Sequence, residues 1–322
     1  MTPRLSIENI ARAATTIDPV FLNSPQYRAE SLGEALGVSI TVKVETVNPI
    51  RSFKGRGADF FVRECADPSV PLVCASAGNF GQGLAYAARR AGVTFDVFAS
   101  TRANELKVER MRALGATVHR AGDDFDAAKG AARAYAQKTG RRYVEDGRDV
   151  AISEGAGTIG VELLEGNGRF DTLVVPLGNG ALLAGVGAWV RAHAPNVRIL
   201  GVCAAGAPSM QQSWRARRVI ETPTVSTIAD GIAVRVPIPE ALEDLRDVVD
   251  DIVLVDDAMT LTAMRLLFSH MGLVVEPAGA VGVAALLALE SEVKGTEVAT
   301  ILCGGNLTAA QIDEYALMSR TA

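Results

Sequence analysis

Apolar residues along the chain fall into short unbroken runs and longer stretches where they recur at helical spacing. Val70–Ala75, Thr94–Ala99 and Thr172–Leu177 are runs of the first kind, of strand length and too short for a helix. Gly81–Ala91, Asn104–Leu114, Asp124–Lys138 and Leu182–His193 have the spacing of helices, with a short strand, Thr117–Arg120, among them. Val197–Val202 and Glu297–Cys303 add strands, and Thr260–Met271 and Ala278–Leu289 add helices. This alternation predicts an α/β fold of parallel sheets covered on both faces by helices, with right-handed crossovers. Sheets of that kind bind ligands beyond the C-terminal ends of their strands. Three polar segments follow strands: Ser76-Ala77-Gly78-Asn79, Gly178-Asn179-Gly180 and Gly304-Gly305-Asn306. Gathered at one edge, they predict a single site. Pro208–Pro239 shows little periodicity and reads as a surface excursion.

Composition narrows the partners. The 322 residues are 48% hydrophobic, enough for one large domain or two ordinary ones. Net charge is −5, and Lys and Arg are scattered along the chain, so no footprint for nucleic acid is present. No apolar run reaches the roughly 18 residues of a membrane span, and Met1–Leu5 lacks the apolar core of a signal peptide. A cytoplasmic protein with neither nucleic-acid nor membrane partners is expected. The 4 cysteines are far apart with no C-x-x-C pair, so neither a disulfide framework nor a metal site is predicted. The 3 histidines, His119, His193 and His270, lie in regular stretches and read as packed or surface side chains. Proton transfer in such a chain falls to a lysine.

Local chemistry is suggestive at three places. Gly178-Asn179-Gly180-Ala181-Leu182 follows a strand and opens a helix, where backbone N–H groups and the positive dipole end converge on an anion. An ordinary tight turn would use the same residues. Gly155-Ala156-Gly157-Thr158-Ile159-Gly160 matches a dinucleotide fingerprint, but polar residues precede it, so close helix packing is the better reading. Ser76-Ala77-Gly78-Asn79-Phe80 also opens a helix and suits a carboxylate, although Ser76 or Asn79 could simply cap it. Lys54 lies in Ser52-Phe53-Lys54-Gly55-Arg56-Gly57-Ala58, a loop entering a helix over Gly57–Glu64. Its neighbours permit a Schiff-base lysine, and equally a surface charge.

Together and in order, these segments resemble the fold-type II pyridoxal-phosphate enzymes, most closely the threonine/serine dehydratase (ammonia-lyase) branch with its serine racemase relatives. Ala229-Asp230-Gly231-Ile232-Ala233-Val234, Glu276-Pro277-Ala278-Gly279-Ala280 and Cys303-Gly304-Gly305-Asn306 complete the match. The resemblance implies a tryptophan synthase β-like fold of two domains, the larger from residues 1–66 and 147–322 and the smaller from 67–146. It implies pyridoxal 5'-phosphate joined to Lys54 beside Phe53, with Asn79 at the ring's 3'-oxygen and Glu276 near the ring. The phosphate would lie on Gly178, Asn179, Gly180, Ala181 and Leu182, and the ring nitrogen at Cys303. Ser76, Ala77, Gly78, Asn79 and Phe80 would grip the carboxylate of a small amino-acid substrate. A homo-oligomer, a dimer first, is expected.

Departures from the family pattern sharpen the expectation. Gly178-Asn179-Gly180-Ala181 stands where four glycines are usual. Asn179 tolerates positive φ better than most residues, whereas Ala181 does not. Cys303 is a weak hydrogen-bonding partner for the ring nitrogen, so a strong electron sink is not expected and elimination is favoured over transamination. Ala77 occupies the place of the serine that racemases use opposite the lysine, which leaves Lys54 as the single base at Cα. Phe80 replaces the usual histidine. No acidic partner completes a cation site beside Ala229-Asp230. Arg51 could favour an acidic substrate, with a surface role as the plainer reading. The expected activity is α,β-elimination from an L-3-hydroxyamino acid such as threonine or serine, giving a 2-oxo acid and ammonia. β-Replacement, racemisation, 3-hydroxyaspartate dehydration and a non-enzymatic regulatory protein are the alternatives. With so few residues after Gln311–Ser319, an appended regulatory domain is not expected.

Overall fold

A computed structural model describes residues 3–103, 105–166, 169–293 and 295–315. Its strands are β1 (Gln26–Arg28), β2 (Ser39–Val44), β3 (Leu72–Ala75), β4 (Phe95–Ala99), β5 (Thr117–Arg120), β6 (Arg142–Tyr143), β7 (Thr172–Pro176), β8 (Arg198–Ala204), β9 (Asp251–Val255) and β10 (Glu297–Leu302). They form two sheets, one ordered β1-β2-β10-β7-β8-β9 and the other β5-β4-β3-β6. All pairings are parallel except β1 with β2, which places one antiparallel strand at an edge.

The strands predicted from apolar runs are buried along their length, as at Leu72–Ala75 and Thr172–Pro176. Helix ends follow local chemistry. Asp124 caps the Phe125–Thr139 helix by accepting from the Ala127 N–H, and left-handed Gly140 ends it. The helix expected from Asn104 spans Glu105–Ala113, Asn104 itself lying outside the described residues, as do positions 316–322. Strands β1, β2, β6 and β9 carry no pattern that the sequence reading singled out.

Three expectations change. The helix after Phe53 begins at Lys54, running Lys54–Cys65, so the lysine lies on its first turn and not in a loop. Two glycines made the segment look irregular, but they are where neighbours press in. A Cβ on Gly55 would lie 2.2 Å from the Phe21 ring, and one on Gly57 would lie 2.3 Å from the Ile152 carbonyl oxygen. Tertiary packing thus overrides weak helix propensity. Second, the three polar segments do not share one sheet: Ser76–Asn79 follows β3 of the four-stranded sheet, whereas the other two follow β7 and β10 of the six-stranded one. Third, Pro208–Pro239 is no mere surface excursion, because Pro223–Val225 and Asp230–Val236 line the central cavity. The Gly155–Gly160 fingerprint is helix packing, as expected. It lies within Val150–Glu165, where a Cβ on Gly155 would meet Gly57 Cα at 2.7 Å and one on Gly157 would meet the Gly185 carbonyl oxygen at 3.0 Å.

Candidate active site

Lys54 is placed by what lies behind it. Arg56, on the same helix, is fully buried and donates to both Glu45 oxygens, at 2.8 and 3.0 Å, and to Glu162, Thr158 and Ser24. Lys43, also buried, completes this group by pairing with Glu162 at 2.6 Å. The first turn of the helix is therefore tied to β2 and to the Val150–Glu165 helix. Lys54 Nζ projects the other way, into a cavity of about 800 Å³ between the two sheets.

Every site residue expected from the sequence lines that cavity: Phe53, Lys54, Ser76–Phe80, Gly178–Leu182, Glu276 and Cys303. Lys54 Nζ lies 4.6 Å from the centre of the Phe53 ring and 5.9 Å from that of Phe80. Arg51 is exposed and lies outside the cavity wall, as do all three histidines.

Two helix starts open into the space. The Asn79–Ala91 helix has Gly78 as its N-cap, a residue with no side chain to offer, so Asn79 does not cap it. Ser76 Oγ accepts from the N–H groups of Gly78 and Gly81, at 3.2 and 2.9 Å, so it ties down one amide of the helix's first turn while its own proton is left for a ligand. The Ala181–His193 helix has an N-cap that makes no side-chain cap hydrogen bond. Its N-cap Gly180 has φ of +100°, so positive φ falls on Gly180 and is required of neither Asn179 nor Ala181. The free amides and dipole end suit an anion.

On the opposite wall Asn79 is clamped. Its Nδ2 donates to Glu276 Oε1 at 2.7 Å, and its Oδ1 accepts from Asn306 Nδ2 at 2.8 Å. Asn306 also donates through its backbone to Glu276 and accepts from Arg110. Burial, helped by the charge of Asp230, pushes the Glu276 carboxyl up to about 7. Cys303 Sγ donates to the Ala278 carbonyl oxygen at 3.5 Å, and burial pushes its thiol well up, so it presents a neutral sulfur.

Sequence reading missed several residues of this wall. Asp146 accepts from Lys54 Nζ at 2.7 Å, and its other carboxylate oxygen is buried without a hydrogen-bond partner. Lys107 pairs with Asp230, and Arg235 donates to Asp126 at 2.7 Å, each linking opposite sides of the cavity. No local motif announces Asp146; only the meeting of the two sheets brings it to Lys54. Among the described residues, no cluster of His, Cys, Asp and Glu suited to a metal ion occurs, and no helix is long and apolar enough to cross a membrane.

The arrangement fits pyridoxal 5'-phosphate. A primary amine, two helix starts, a clamped amide and a neutral sulfur converge on a space with a buried, unsatisfied carboxylate oxygen. Comparison with known proteins agrees. Residues 17–304 match the family model described as pyridoxal-phosphate dependent enzyme. L-threonine ammonia-lyase of Thermotoga maritima is 35% identical over 311 residues, spanning 96% of this chain and 77% of that protein. Threonine deaminase isoform 2 of Solanum lycopersicum has a similar structure, with a TM-score of 0.89 and 28% identity, over 98% of this chain and 90% of that one. Maize serine racemase superposes with a TM-score of 0.89 and 27% identity, over 98% and 97% of the two chains. The chain belongs to the pyridoxal-phosphate dependent enzyme family.

Proposed function

We propose that the protein is an ammonia-lyase that removes water from an L-3-hydroxyamino acid, threonine first and serine second, to give a 2-oxo acid and ammonia. The observation that carries this reading is that Lys54 Nζ projects into a cavity on whose wall Ala77, a residue with no acid or base, stands where a racemase would carry its second base. Ala77 stands on the wall with a methyl group only, so a proton lost from Cα on the Lys54 side is not replaced from the other. Elimination follows from that asymmetry, and racemisation does not.

When bound, pyridoxal 5'-phosphate supplies the electron sink that makes the Cα–H bond acidic. Gly178–Leu182 would hold its phosphate through free amides. Asn79, held by Glu276 and Asn306, would meet the ring oxygen, and neutral Cys303 would face the ring nitrogen. Ser76 Oγ and the amides at the start of the Asn79–Ala91 helix would hold the substrate carboxylate, fixing which hydrogen faces Lys54. Phe53 and Phe80 set their rings beside Nζ, and Nζ takes the Cα proton. We read the chain as a small domain, residues 67–146, and a large one, 1–66 and 147–322, and the separation of the strands into two sheets supports that reading. From the family resemblance we extend the reading to a cytoplasmic homodimer.

The test is 2-oxo acid release from a panel of L-amino acids by the purified holoenzyme. L-Threonine is expected to head the panel, with L-serine turned over more slowly. Release confined to 3-hydroxyaspartate, or product appearing only when a second nucleophile is supplied, would move the assignment to the alternative concerned.

A further inference from the structure

Hydroxide leaves carbon slowly unless a proton reaches the oxygen as the bond breaks, so this elimination needs an acid as well as a base at Cα. The cavity wall carries the carboxylates of Asp124, Asp126, Glu145, Asp146, Asp230 and Glu276. Five of them are engaged elsewhere. Asp124 caps a helix, and Asp126 and Asp230 pair with Arg235 and Lys107. Glu145 meets Lys129, Arg133 and Arg148, and Glu276 accepts from Asn79 and Asn306. Asp146 differs. One oxygen accepts from Lys54 Nζ at 2.7 Å, and the other is buried with no partner, alone in this among polar side-chain atoms on the described cavity wall. Its loop is also firmly seated. The next residue, Gly147, has φ of +85°, and a Cβ there would lie 2.2 Å from the Asn179 carbonyl oxygen in the phosphate-binding turn.

We propose that Asp146 is a catalytic residue that carries the proton from Lys54 to the departing β-hydroxyl. The proposal rests on the elimination reading above. Lys54 Nζ takes the Cα proton, and the Cα–H electron pair stays with the carbon skeleton. The resulting ammonium passes a proton to Asp146 across their hydrogen bond. The Asp146 carboxyl group gives that proton to the β-oxygen, which leaves as water with the C–O pair as the Cα pair closes the new double bond. Lys54 and Asp146 end in the protonation states in which they began, and no other reactant is needed.

The test compares two leaving groups on the holoenzyme: the hydroxyl of L-threonine or L-serine, and the chloride of β-chloro-L-alanine, which departs without a proton. Asp146→Asn is expected to slow the hydroxy substrates by about 10²-fold or more while changing the chloro substrate by less than about threefold. Asp146→Glu keeps the carboxyl group and is expected to hold the ratio of the two rates within about fivefold of the unmutated enzyme. In cofactor-free protein, acetylation of Lys54 by acetic anhydride, read by peptide mass spectrometry, should quicken in Asp146→Asn because no carboxylate holds Nζ. Equal losses on both leaving groups, an unchanged hydroxy rate, or a Glu variant as biased as the Asn variant would overturn the proposal. An unmutated enzyme active on β-chloro-L-alanine and inert toward every hydroxyamino acid would instead overturn the dehydratase reading, so the two failures are distinguishable.

Discussion

At the Gly178–Leu182 turn the cavity is walled by backbone amides and uncharged side chains from one contiguous stretch, whereas around Lys54 it is walled and backed by charged side chains from distant segments. The turn needs no partner to present its amides. The lysine end is held by a buried group of Arg56, Glu45, Glu162 and Lys43, and faced by Asp146 and Glu276. The difference reflects the two tasks. A phosphate with fixed charge is satisfied by fixed dipoles, while a group that gains and loses a proton needs neighbours that respond to its charge.

The comparison breaks most readily behind the lysine. Arg56→Ala leaves Glu45 buried without its guanidinium, and removing one member of a buried pair costs about 3–5 kcal/mol. Denaturant unfolding should show that loss in the cofactor-free protein. A variant as stable as the parent would mean that the buried charges do not anchor the helix bearing Lys54.

Glu276 gives the next largest effect, and it depends on pH. Its carboxyl is pushed from 4.5 to about 7 in the folded protein, chiefly by burial. The folded state therefore keeps this proton where the unfolded chain has lost it. Stability falls as pH rises from about 4.5 to about 7, by on the order of 3 kcal/mol, and this contribution is level above that window. Glu276→Gln should remove that part of the slope, as calorimetry of the cofactor-free protein across the window would show.

The smallest effect is at the turn. Gly180 has φ of +100°, and a β-branched side chain there is strained by roughly 1–2 kcal/mol. Gly180→Val is expected to weaken cofactor binding about tenfold with little change at Lys54, as read by equilibrium titration of the cofactor. A loss as large as that of the Lys54 end would erase the contrast.

The same contrast decides what the sequence disclosed. The turn was legible because its chemistry is local: a buried strand, three small residues and a helix occur in one run. The α/β alternation was legible for the same reason, since Thr172–Pro176 and Phe125–Thr139 carry their periods within themselves. Lys54 could be named only because six motifs lay in family order; its own neighbours did not lift it above a surface charge. Asp146 was not legible at all, being separated from Lys54 by 92 positions and joined to it only by the meeting of two sheets. The polar Pro208–Pro239 stretch misled for a related reason. After a helix over Ser209–Ala216 it runs along the cavity, where Asp230 and Arg235 reach across to Lys107 and Asp126. Short strands such as β6, of two residues, have too few side chains to display a period.

The account stands or falls on Lys54 as the residue that holds the cofactor. Reducing the yellow holoenzyme with borohydride, digesting it and locating the phosphopyridoxyl group by mass spectrometry tests this directly. The account predicts one modified lysine, Lys54, and neither visible absorbance nor adduct in Lys54→Ala. A phosphopyridoxyl group on any other lysine, or full retention of absorbance in Lys54→Ala, would contradict it.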